Sequence, residues 1–141
     1  MNISLFRLVV VVLLSSVFVA KSWAEVAVIV HPSVADTASS KDISRIFLGK
    51  SKSLPGGQKV TPVSLAEGNA ATDEFNEKVL GKSASQLKSY WSKLIFTGKG
   101  QPPGELGTDA DVVAKVSSDP NSIGYVSAAS VTDAVKVLAT F

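Results

Sequence analysis

Val26-Ala27-Val28-Ile29-Val30 is an unbroken apolar run, four of its five residues β-branched, and it stops at His31-Pro32. Such a run has no polar face to turn toward water. It must form a strand covered on both sides, and that requirement points to a parallel sheet with helices over each face. The residues that follow have to supply the cover. Ser39 and Ser40 offer N-caps ahead of Ile43, Ile46 and Phe47, whose i, i+3, i+4 spacing makes one apolar stripe ending at Gly49. A turn-forming stretch through Lys50, Lys52, Pro55, Gly56 and Gly57 leads to a second strand near 60–65.

Beyond Gly68 the pattern is helical again, with Ala71, Phe75 and Val79 on one face and Gly81 as the stop. Ser83 and Gln86 make a capping box at the start of a third helix. Its Leu87, Tyr90, Trp91, Leu94 and Ile95 carry the clearest helical periodicity in the chain. Burial of Trp91 and its neighbours is expected to be the largest core contribution, at about 1.5–3 kcal/mol per large side chain. Gly98, Gly100, Pro102, Pro103, Gly104 and Gly107 predict a loop. Thr108 with Asp111 starts a fourth helix, Val112 and Val116 give its buried stripe, and Asp119-Pro120 ends it. Residues 123–126 and 135–138 read as two further strands. Strands alternating with helices imply an α/β domain with right-handed crossovers and a mixed, mostly parallel sheet flanked by helices.

Ahead of the first strand, Arg7 is followed by a thirteen-residue run at 8–20, apolar except for Ser15 and Ser16, and then by Lys21-Ser22-Trp23-Ala24. This is the three-part plan of a secretory signal peptide, cut after Ala24. The apolar stretch is shorter than the roughly 20 residues that cross a bilayer. The expected organisation is therefore a signal peptide over 1–24 and one exported, soluble, periplasmic domain over 25–141. Arg7 and Lys21 belong to the leader, so residues 25–141 carry twelve basic and twelve acidic side chains. A balanced chain without a basic cluster does not favour nucleic acid as a partner, because that binding depends on neutralising phosphates. The absence of cysteine excludes disulfides and thiolate chemistry, so packing must hold the fold.

The segment from Ala66 to Thr72 joins a predicted strand to a predicted helix, so its backbone N–H groups should point outward from a helix start. Those amides lack intrahelical partners and the helix dipole adds partial positive charge, which together attract phosphate, sulfate or carboxylate. Lys93, Thr97 and Lys99 are further candidates for charge and hydroxyl contacts. Ser33 and Ser64 stand at expected carboxyl ends of strands, where α/β sheets bind ligands. His31, the single histidine, reads as a strand-end surface residue. Nothing implies a catalyst or a cofactor: there is no Gly-x-Ser-x-Gly elbow, no phosphate loop and no second histidine for a metal. The paired acids Asp73 with Glu77 and Asp109 with Asp111 complement helix dipoles.

Asp42-Ile43-Ser44-Arg45-Ile46-Phe47-Leu48-Gly49-Lys50 resembles the helix and Ile-Phe/Tyr-Leu-Gly-Lys segment of the phosphate-binding subunits of bacterial ABC transporters. Glu67-Gly68-Asn69 stands where that family has an acid, a glycine and a serine, and Ser122-Ile123-Gly124-Tyr125-Val126 is similar to its later Ile-Gly-Tyr strand. The likeness implies one lobe of a two-lobed type 2 periplasmic-binding fold and a non-enzymatic solute-binding role. The ligand it implies is a small oxyanion, phosphate, at Glu67, Gly68, Asn69 and Ala70 with Ser64 nearby. A carboxylate there accepts the proton of a protonated oxyanion and repels sulfate. In the family an arginine precedes the acid by two positions, and a serine, a glycine and a threonine follow its glycine; here those positions hold Leu65, Asn69, Ala70 and Ala71. The alternative is an interaction module that kept the fold and lost the ligand, with Leu65, Ala70 and Ala71 as its contact patch. The implied partners are an ABC permease or another envelope protein, and a homodimer is one way to supply the wall that a single lobe lacks.

Overall fold

The structure, a computed structural model, describes residues 25–141; the expected leader over 1–24 lies outside the described residues. β1 (Val26–Val30) is buried along its whole length, as its composition requires. Its burial comes from a central place in the sheet and not from parallel neighbours. The strand order is β3 (Gly104–Leu106), β2 (Thr61–Leu65), β4 (Ser122–Ser127), β1, β5 (Lys136–Thr140). β1 runs antiparallel to both β4 and β5, whereas β2 runs parallel to β3 and β4. The sheet is mixed, as expected, with the parallel pairing confined to its β2 side.

Helices cover both faces. Gly124 sits on β4 where an added Cβ would meet Val112 Cγ1 at 2.6 Å and Val116 Cγ2 at 3.5 Å, so α4 (Asp109–Ser118) lies closely on that face. The neighbouring Tyr125 points the other way, as strand alternation demands. There its ring stacks on Phe75 of α2 (Ala70–Phe75) at 4.1 Å and 8°, and lies 5.8 Å from Phe47 of α1 (Ser40–Phe47). The expected Ser83–Gln86 capping box forms on α3 (Ala84–Phe96), and Ser39, one of the two expected N-caps of α1, makes a further box with Asp42. Thr108 caps α4 by accepting the Asp111 amide. α2 continues as a π-helical turn, Asn76–Leu80, which Gly81 ends at φ 63°.

Two further expectations fail, beyond the direction of β1. The glycine- and proline-rich stretch is not all loop, because Gly104–Leu106 pairs as β3 with the open edge of β2. An edge needs little side-chain packing to attract a short partner, so poor strand formers suffice there. The third helix forms where its periodicity says, yet none of its residues is buried, and Trp91 does not lead the core. Tyr125, Phe47 and Phe75 are the largest buried side chains instead. Periodicity shows that a helix has an apolar face, but the layer available to cover it is a tertiary matter. α3 rests on the end of α1, through Tyr90 donating to the Leu48 carbonyl at 2.6 Å and the Trp91 ring against Gly49.

Candidate functional site

The turn between β2 and α2 forms at the carboxyl end of a parallel strand, as its sequence implies. Gly68 takes φ 88°, a left-handed conformation that glycine adopts without strain. Asn69 is the N-cap of α2 and its side chain accepts the Ala71 amide at 2.9 Å. The Asn69 amide donates to the Ala66 carbonyl, and the Asn69 carbonyl accepts from Thr72 and Asp73. Part of the expected donor set is therefore used internally. Among the described residues, no acceptor meets the amides of Glu67, Gly68 and Ala70.

A cleft of about 320 Å³ opens beside this turn, and Ser64 and Glu67 line it while Gly68, Asn69 and Ala70 do not. Its other charged side chains are Lys88 and Glu105, and α3 contributes Leu87, Trp91 and Ile95 to an apolar wall. Sequence reasoning missed Lys88 and Glu105. Lys88 carries no motif, and Glu105 lies in the strand that its glycine-rich context concealed.

Leu65, at the position of the family's arginine, is 1% exposed and packs in the core. Its amide donates to the Tyr125 hydroxyl at 3.3 Å. The hydroxyl of Thr72 donates to the carbonyls of Leu65 and Ala66, so the floor of the turn is a closed network and not a ligand surface. Burial raises the Tyr125 pKa above the ordinary tyrosine value, opposed by its contacts with Thr72 and Leu65. Ala71 is buried as well, so Leu65 and Ala71 form no exposed contact patch.

Other candidates fall elsewhere. Because β1 is antiparallel to β4, its carboxyl end points to the edge opposite the Glu67 turn, carrying His31 and Ser33 away. There the His31 Nδ1 and Ser33 Oγ lie 2.7 Å apart. The Thr97 hydroxyl donates to the Lys93 carbonyl at the end of α3, and neither Lys93 nor Lys99 lines the cleft beside Glu67. Asp109 accepts from the Ser130 hydroxyl at 2.6 Å and the Ser127 amide, a structural tie from α4 to the end of β4. Among the described residues, no group of three or more His, Asp or Glu is placed to hold a metal ion.

No protein-family model and no curated protein sequence matches the chain. Solved structures do. An ABC-type phosphate transport receptor from Vibrio cholerae superposes with a TM-score of 0.62 at 16% identity, over 82% of this chain and 46% of its own. A protein from Clostridium perfringens, described as a phosphate ABC transporter substrate-binding protein with bound phosphate, gives 0.61 at 22% identity, over 82% and 45%. PstS from Borrelia burgdorferi gives 0.53 at 16% identity, over 74% and 42%. The fold is that of part of a phosphate-transport receptor. The chain spans less than half the length of the receptors it matches, which agrees with a single lobe. Among the described residues, no helix of this receptor-lobe fold is long and apolar enough to cross a membrane.

Proposed function

We propose that the chain is an exported solute-binding-like protein that recognises a small oxyanion, phosphate, at the turn of Glu67, Gly68 and Asn69. The observation that carries this reading is the set of unpartnered amides of Glu67, Gly68 and Ala70 at the carboxyl edge of β2, in a fold shared with phosphate receptors. Free amides at such an edge bind anions through direct hydrogen bonds and the local helix dipole. Ser64 adds a hydroxyl from the adjoining cleft. The Glu67 carboxylate accepts the proton that phosphate retains near neutral pH and repels sulfate, which retains none. With leucine at position 65 the bidentate contact of an arginine is missing, so affinity is lower than a guanidinium site provides.

A single lobe leaves the site open on one side. A second copy, an ABC permease or another envelope protein supplies the missing wall in this reading, and chromatography with and without phosphate tests for the second copy. Calorimetric titration with phosphate and sulfate tests the site itself. Heat with phosphate that is lost in Glu67→Ala supports it, and no heat at millimolar phosphate removes it. Asn69→Ser is the companion variant, because serine preserves the cap of α2.

A second reading, a ligand-free interaction module, is favoured by α3. Phe96 is 92% and Ile95 54% exposed on a helix with no buried residue. Under that reading Phe96→Ser abolishes capture of an envelope partner, whereas Glu67→Ala leaves it intact.

A further inference from the structure

A second cleft, of about 620 Å³, lies at the other end of the same strand. Thr61 and Pro62 at the amino end of β2 line it, together with Gly104 and Asn121, whereas the oxyanion turn follows Leu65 at the carboxyl end. Its charged lining is one-sided. Lys52, Lys59 and Lys99 face it, and no carboxylate does. Residues 25–141 carry equal numbers of acidic and basic side chains, so three cations without an acid is a local excess. Among the described residues, none of these three ammonium groups makes an ion pair or a hydrogen bond. The cleft on the Glu67 side has the opposite balance, with two carboxylates and one lysine.

The lining also holds apolar side chains, among them Trp91 and Pro62. The six-membered ring of Trp91 lies where a Cβ on Gly49 would come within 3.3 Å and one on Gly100 within 3.8 Å. Gly49 has φ +74°, so both the backbone and the ring favour glycine there. The half-buried Trp91 indole thus packs against two glycines and lines the cleft, as does Pro62. A pocket of this volume that combines an aromatic side chain with charges of one sign has the make-up of a small-molecule site.

We propose that this cleft binds a small organic anion in which a carboxylate, sulfonate or phosphate is joined to a flat apolar body. The charged head lies among Lys52, Lys59 and Lys99, and the body covers the Trp91 indole. Inorganic phosphate fits poorly, because it leaves the apolar side chains in water and fills little of the volume. This inference does not depend on the oxyanion reading of the Glu67 turn.

The test is a fluorescence titration of the full chain with 8-anilinonaphthalene-1-sulfonate, beside its uncharged analogue N-phenyl-1-naphthylamine. The sulfonate should bind saturably, about tenfold tighter than the neutral probe, and weaken at high ionic strength. Lys59→Gln/Lys99→Gln, both exposed positions, should weaken the sulfonate about tenfold and leave the neutral probe unchanged. Glu67→Ala should leave sulfonate binding intact, and excess inorganic phosphate should not displace it, whatever the phosphate titration shows. Equal affinity for the two probes, undiminished sulfonate binding by the lysine variant, or displacement by phosphate would each overturn the proposal.

Discussion

Tyr125, on β4, donates its hydroxyl hydrogen to Thr72 Oγ1, on α2, across 3.3 Å, in the buried layer beneath the candidate oxyanion turn. The same hydroxyl accepts the Leu65 amide at 3.3 Å, while Thr72 donates onward to the Leu65 and Ala66 carbonyls. One phenol therefore joins the end of β2 to the start of α2, on either side of the turn that holds Glu67 and Gly68.

Tyr125→Phe keeps the stacking on Phe75 but leaves the buried Leu65 amide without an acceptor. The expected cost is about 1–3 kcal/mol in chemical denaturation. Burial also raises the Tyr125 pKa, so its contribution is complete below the unfolded value near pH 10 and is lost as pH rises through the higher folded value. Stability should thus decline above about pH 10, and less steeply in the variant. Tyr90, raised by the same cause, keeps a residual slope.

Gly124→Ala should destabilise the domain by about 1–3 kcal/mol through overpacking. The new Cβ would come within 2.6 Å of Val112 Cγ1 and 3.1 Å of Val63 Cγ2. Val112→Ala in the same chain should recover part of the loss, because it removes the nearest atom. Thermal unfolding of the single and double variants reads the difference.

Asp42 is held below the ordinary carboxylate range by the Ser39 backbone amide, then the Ser39 hydroxyl, and Asp119 by the Asn121 amide, then the Ser122 hydroxyl. A depressed folded pKa stabilises above the unfolded value, near pH 4, and that stability is lost as pH falls through the folded value. Asp42→Asn/Asp119→Asn should therefore flatten the acid limb of a stability profile below about pH 4. An unchanged limb would mean that other carboxylates control it.

Phe96→Ser should shift stability by no more than about 0.5 kcal/mol, since the ring is 92% exposed. Phe75→Ala, in the aromatic stack, should cost about 3–5 kcal/mol. The contrast, measured by denaturant titration, separates the outer helix from the core.

Local signals in the sequence sufficed wherever short-range chemistry decides the outcome. Val26–Val30 had to be a buried strand, Ser39 or Ser40, Ser83 and Thr108 had to cap helices, and Gly68 had to open a turn before α2, because capping and chain reversal involve residues within a few positions of one another. Direction and burial depend on partners distant in the chain, and only the tertiary structure decided them. β1 is antiparallel to its neighbours, which sends His31 and Ser33 to the far edge. β2 offers an open edge, which turns a glycine-rich stretch into β3, sets Glu105 opposite Ser64 and brings it into the cleft that Glu67 lines. α3 has no buried residue, so the best helical stripe in the chain stays half in water and its Trp91 lines both clefts. Periodicity specifies which side of a helix is apolar; the neighbour that covers it is chosen by the whole chain.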